Sequence, residues 1–244
     1  MSVLTTVVAR IGHLIYPRRC LECGEDLDGD QAGPLCADHR RAVVLVEDPF
    51  CERCGQKMFT AATGELLCAE CRTTTRHFDR AFSATVYNDV MKSLVHRYKY
   101  GMRQYLAGPL ARWMIDFAHR QIDAGSLDAI VPVPLHWRRF QYRGFNQAIA
   151  LARPLAREFR LPIIRHVLRR KRHTVPQTHL GAKERLTNIK GAFGVRKAER
   201  IEGKRLLLVD DVYTTGATIN ECARVLKRAG ADSVVAFTLT RPIS

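Results

Sequence analysis

No stretch of about 18 consecutive apolar residues occurs in the 244-residue chain, so no membrane-spanning helix is readable from it. Neither G-x4-G-K-[ST] nor G-x-G-x-x-G occurs, which removes support for a nucleoside-triphosphate loop or a dinucleotide-binding fold. Acid is scarce: 24 Asp and Glu stand against 39 Lys and Arg, a formal net charge of +15. That excess favours polyanionic partners, nucleic acid or phosphorylated small molecules, and says nothing about fold. The opening segment lacks a basic start and a small-residue cleavage site, so it does not read as a signal peptide. Val3, Leu4, Val7, Val8, Ile11, Leu14 and Ile15 keep helical spacing instead, giving an amphipathic helix over residues 1–17 that packs on its own fold. The expected location is cytoplasmic. Cys222 shares an apolar helical face with Ile219 and Leu226 and reads as a core thiol rather than a nucleophile.

The other seven cysteines fall into a tandem pattern over residues 18–75. Cys20, Cys23, Cys36 and His39 form one unit; Cys51, Cys54, Cys68 and Cys71 form the next. Equivalent positions are offset by 31, 31, 32 and 32 residues, a repeat with one residue added in the second loop. Two ligands separated by two residues face one ion, and two such knuckles complete a tetrahedron around zinc. Gly24 and Gly55 each follow the second cysteine of their unit, where a tight knuckle needs a positive φ. Four protein ligands leave no open position, so both Zn2+ sites are expected to be structural. The repeat favours sequential pairing over the interleaved pairing that the spacing also permits. A module with so few apolar residues depends on the metal for much of its folding free energy. Whether it faces DNA, docks a partner or caps the larger domain stays open.

From Phe78 the composition changes, and a core-bearing domain is expected over residues 78–244. Strands are expected at Phe82–Tyr87, Ala129–Val133, Ile163–Leu168, Leu206–Val209 and Val234–Leu239, alternating with helices, which is the pattern of a parallel sheet with helices on both faces. Its centre is RLLLVDDVYTTGA, Arg205 to Ala217. Four aliphatic residues run into Asp210 and Asp211, then into a small-residue loop, Thr214, Thr215, Gly216, Ala217 and Thr218, that opens a helix. Free backbone N–H groups and the positive end of the helix dipole make such a loop an anion site. The two carboxylates before it suit sugar hydroxyls or a divalent cation. A second segment outside a strand end, from His136 to Gln147, is expected as an exposed loop carrying Trp137, Arg138, Arg139 and Arg143. Trp137 suits either stacking on a base or packing. Between Arg138 and Arg172 there are eleven Lys or Arg and one acid, Glu158. So dense a run of like charge self-repels without an anion nearby.

VDDVYTTGAT resembles the phosphoribosyl pyrophosphate (PRPP) loop of type I phosphoribosyltransferases. With the cysteine-rich module ahead of it, the chain resembles the ComF family of bacterial competence-associated proteins over nearly all its length. The resemblance implies a double zinc ribbon followed by a type I phosphoribosyltransferase-like α/β domain. It implies PRPP with Mg2+ as ligand, Asp210 and Asp211 as catalytic carboxylates, and residues 214–218 on the 5′-phosphate. VPVPLHWRRFQYRGFNQ then lies near the pyrophosphate, making Arg138, Arg139 and Arg143 its contacts. RRKRHTVPQTHLGAKERLTNIKGAF resembles the flexible catalytic loop, with Gln177, Arg185 and Asn188 at positions that match the family and Lys171 and Arg172 as further loop candidates. Single-stranded DNA and DNA-uptake or recombination proteins are the implied partners. Two functions follow: transfer of a phosphoribosyl group to an acceptor that no residue identifies, or PRPP sensing by a non-catalytic DNA-binding protein.

Overall fold

The computed structural model describes residues 18–27, 33–58, 66–172 and 188–243. The expected helix over 1–17 and the loop residues Gln177 and Arg185 lie outside the described residues. In chain order the elements are α1 (Ala37–Arg41), α2 (Ala69–Thr73), β1 (Arg80–Val86), α3 (Asp89–Lys99), α4 (Ala107–Gln121), β2 (Ala129–Pro132), α5 (Trp137–Arg143), α6 (Gln147–Glu158), β3 (Leu168–Arg170), β4 (Phe193–Val195), β5 (Arg205–Val212), α7 (Ala217–Arg228) and β6 (Ser233–Arg241).

Four strands form a sheet in the order β1-β6-β5-β2, every pair parallel. β5 is buried on both sides, and its apolar run divides by period two. Leu207 and Val209 face a core shared with α4 and α6, while Leu206 and Leu208 face one shared with α7. Both cores need a continuous apolar strand, which is why no polar residue interrupts the run before Asp210.

The expected strand at Ile163–Leu168 is not one. Ile163 makes a single parallel bridge to Ile130 beside β2, and the chain then leaves the sheet. The strand begins instead at Leu168, where β3 pairs antiparallel with β4 to frame the two ends of the basic loop. The segment after β2 is likewise not all loop. Residues 137–143 form a helix capped by His136, whose Nδ1 accepts from the Arg138 N–H at 3.3 Å, and closed by Gly144 at φ 73°.

The two cysteine units straddle the β1 edge of the sheet. Cys20, Leu35, Cys36 and Val46 join the α4 and α6 core, and Cys51 and Cys54 join the α7 core. Between them the chain pairs with β1: the Val46 N–H donates to Ala84 O at 3.1 Å and the Val86 N–H to Val44 O at 2.8 Å. An open strand edge is a template for association, and here the ribbon covers it. Gly55 sits so close to β1 that a Cβ there would stand 2.5 Å from Ala81 O.

Candidate functional site

The site is built at the carboxyl end of β5, where strand parity sends the two acids to opposite faces. Asp211 continues the face of Leu207 and Val209 and meets Lys99 at the end of α3, 3.1 Å from Nζ. Asp210 continues the face of Leu206 and Leu208, and its Oδ1 accepts the Asp211 N–H at 2.9 Å. Burial, followed by the neighbouring Asp211 charge, pushes the Asp210 carboxyl up to about 7. One acid of the pair is therefore ion-paired with a lysine, and burial holds the other toward its protonated form.

After Val212 the chain turns through Tyr213 to Gly216 into α7. Gly216 has φ 71°, and a Cβ there would stand 2.2 Å from the Tyr213 hydroxyl, so both backbone conformation and space demand glycine. Thr214 is exposed, Thr215 and Thr218 are half-buried, and the Thr215 hydroxyl accepts the Ala217 N–H at 3.4 Å. The twelve-residue helix behind the loop presents its first N–H groups there, which suits a phosphate.

Cations approach from two sides. Arg139 in α5 is half-buried, and burial, then repulsion from Arg143, lowers its affinity for a proton. Arg170 at the end of β3 lies over the Phe193 ring at 5.4 Å, and burial, then Arg139, lowers it to about 10. Mutually repelling guanidiniums held in partly buried positions favour an anion between them. The expected contacts do not all act alike. Arg138 and Lys171 are exposed, whereas Arg172 donates to Asn188 O and Lys190 O, both at 3.0 Å, and so ties the base of the basic loop. Arg143 donates to Gln147 Oε1 at 3.1 Å. Sequence reasoning missed Lys99, which is an ordinary last-turn lysine until the fold brings it to Asp211. Arg170 stands in the sequence as one of four successive cations, residues 169–172; its distinction is burial, which spacing does not encode.

In each cysteine unit the four ligand atoms lie within 4.8 Å of one another, grouping the residues sequentially. Cys54 and Cys68 sulfurs are 3.7 Å apart, Cys23 and Cys36 sulfurs 3.9 Å, and His39 Nδ1 is 3.8 Å from the Cys20 sulfur. Ligands about 2.3 Å from a tetrahedral zinc stand about 3.8 Å apart, so both clusters fit structural zinc. The Cys51 thiol is pulled well below an ordinary thiol, first by the Cys54 thiol and then, against burial, by backbone N–H groups, among them that of Cys68. A thiolate prepared in this way suits a metal.

The second cluster is joined to the anion loop. Arg241, at the end of β6, donates to Cys54 O and Gln56 Oε1, and its guanidinium lies over the Tyr213 ring at 4.8 Å. Tyr213 in turn fills the space beneath Gly216. Zinc knuckle, arginine, tyrosine and loop thus form one packed column.

A parallel sheet with helices on both faces, an acid pair and a Thr-Gly loop at the end of a central strand, and two zinc-fitting clusters define a phosphoribosyltransferase-like protein with a double zinc ribbon. The phosphoribosyl transferase domain family matches residues 141–244 and the double zinc ribbon domain family residues 11–72. Competence protein F of Haemophilus influenzae is 30% identical over 227 residues, 91% of this chain and 96% of that protein. DNA utilization protein YhgH of Salmonella typhimurium is 36% identical, covering 94% of this chain and 100% of that one. Competence protein ComFC of Bacillus subtilis is 31% identical, covering 85% and 84%. The chain belongs to the ComF family of competence and DNA-utilization proteins. Among the described residues no helix is long and apolar enough to cross a membrane.

Proposed function

We propose that the chain binds PRPP at the end of β5 and transfers its phosphoribosyl group to an acceptor. The observation that carries this reading is the acid pair directly ahead of a Thr-Gly loop that opens a helix, with Arg139 within electrostatic reach of Asp211 and Arg170 of Asp210. A ribose with phosphate at both ends is the ligand that uses all three groups. The N–H groups of Thr214 to Thr218 take the 5′-phosphate, and Asp210 and Asp211 accept from the ribose hydroxyls. Arg138, Arg139, Arg143, Lys171 and the undescribed Gln177 and Arg185 serve the pyrophosphate side. Departure of pyrophosphate builds positive charge on the ribose ring, which nearby carboxylates stabilise, while the guanidiniums stabilise the leaving anion. The hard oxygens of Asp210 and Asp211 would suit Mg2+, which would supply neutralisation of the pyrophosphate charge. Incubation with PRPP, Mg2+ and a panel of nucleobases is expected to release pyrophosphate with one base. Release with none would leave PRPP a bound regulator rather than a substrate.

A second reading, single-stranded DNA binding during uptake, is favoured by the net charge of +15 and by the exposed cations at the base of the basic loop. Arg169→Ser with Lys171→Ser removes two exposed charges without touching Arg170 or Arg172, which pack and bond within the fold. The slope of log affinity for an oligonucleotide against log salt is expected to flatten by roughly 1.4, about 0.7 for each phosphate that is no longer neutralised. An unaltered slope would place the DNA elsewhere.

A further inference from the structure

Large apolar side chains are exposed at only eight described positions, and six of these lie in two short segments, Tyr100, Met102 and Tyr105 in one and Trp137, Phe140 and Tyr142 in the other. The second segment is α5, a helix none of whose seven residues is buried. Trp137 is 59% exposed, Phe140 50% and Tyr142 86%. A helix that shows three aromatic rings to solvent and has no fully buried residue has no folding reason for that composition. Concentrated exposed apolar surface of this kind marks a binding face.

The two segments are one surface. The Arg143 guanidinium lies over the Tyr100 ring at 5.1 Å, and the Met102 methyl would stand 3.1 Å from a Cβ at Gly144. Arg138 lies over Trp137 at 5.4 Å. Neither Lys99–Tyr105 nor Trp137–Gln147 contains an acid. Rings interleaved with guanidiniums and free of carboxylates suit a ligand that offers flat apolar faces on a polyanionic thread. A duplex hides its base faces, so the match is to a single strand, each base stacking on a ring while arginines follow the phosphates.

We infer that α5 and the turn at Tyr100–Met102 form a stacking platform for single-stranded DNA, next to the ribose-phosphate site. The inference rests on the DNA-binding reading above and assigns its surface. The platform continues into that site through Arg139, which shares the helix with Trp137 and feels the Asp211 charge.

The test is anisotropy of labelled oligo(dT) across a salt series with the full-length protein. Trp137→Ala with Tyr142→Ala is expected to weaken binding by about 10–100-fold while leaving the salt slope unchanged, because stacking is lost and no charge is removed. Folding is monitored by the thermal melt, which these unburied positions should not move. Failure of the unsubstituted protein to bind oligo(dT) overturns the DNA reading and the platform together. Normal binding by the double variant overturns the platform alone. Binding of duplex DNA or oligo(U) tighter than oligo(dT) overturns the assignment to single-stranded DNA. A wild-type dimer that the double variant dissociates without DNA would assign the face to a second copy of the chain and overturn the proposal.

Discussion

Asp210→Asn combined with Asp211→Asn is expected to abolish PRPP binding without lowering the melting temperature. Each carboxylate that accepts a hydrogen bond from a ribose hydroxyl contributes on the order of 1.5–3 kcal/mol, so losing both weakens binding by roughly 100-fold to 10,000-fold. Stability moves little because the two losses oppose. Asp211→Asn breaks the ion pair with Lys99, whereas Asp210→Asn removes a carboxylate whose ionisation burial disfavours. The same carboxyl gives a pH signature. Its folded value of about 7 stands above the ordinary 3.8, so the fold retains a proton that the unfolded chain releases. Stability contributed by that proton falls as pH rises from the ordinary value to about 7, and is flat above. PRPP affinity runs the other way, rising through the same window as Asp210 becomes an acceptor. Calorimetric titrations on either side of neutrality, with melts at the same pH values, check both slopes. Unchanged affinity in the double variant would remove the acid pair from the site.

Loss of the second zinc is expected to unfold more than the ribbon. A structural zinc contributes about 10 kcal/mol or more of apparent folding free energy, comparable with the whole stability of a domain at about 5–15 kcal/mol. Cys51 and Cys54 are completely or almost completely buried in the core that α7 and β6 share, so their disorder opens that core directly. Cys54→Ser is therefore expected to lower the melting temperature of the entire chain in one transition, and to weaken PRPP binding through Arg241 and Tyr213. Cys23→Ser, at an exposed ligand of the first cluster, should cost less and leave PRPP affinity near normal. Metal analysis beside differential calorimetry measures both. A separate low-temperature ribbon transition in Cys54→Ser, with the larger domain melting normally, would show that the two do not share a core.

The zinc units and the loop after β5 were legible because their information is local. Ligands two residues apart, and an acid pair ahead of Thr-Thr-Gly, are covalent spacings that no distant contact can shift. What escaped depended on partners far along the chain. Ile163 to Leu168 has the composition of a strand, but whether it pairs is decided by β2 on one side and by β4 on the other, and only Ile163 finds the sheet. Helix α5 escaped for a different reason: it buries no residue, so it has no apolar period to read, and its cap is a histidine. The pairing of residues 44–46 with β1 had no sequence signal at all, since a short apolar stretch between two zinc units gives no hint of which edge it covers.

The place of β6 has a consequence for synthesis. It lies between β1 and β5 yet follows both in the chain, so neither strand meets its neighbour until residues 233–241 have left the ribosome. Before that moment β5 has only β2, and β1 has only the ribbon segment around Val44 to Val46. One edge of β1 therefore stays unpaired while residues 87–232 are made, whereas the pair of β2 and β5 waits only over the short stretch between β5 and β6. The final insertion completes both cores at once, Phe237 and Leu239 filling one and Val234 and Ala236 the other. The segment around Val44 to Val46 matters in that interval: made before β1, it can pair with one edge of that strand while the other edge waits for β6.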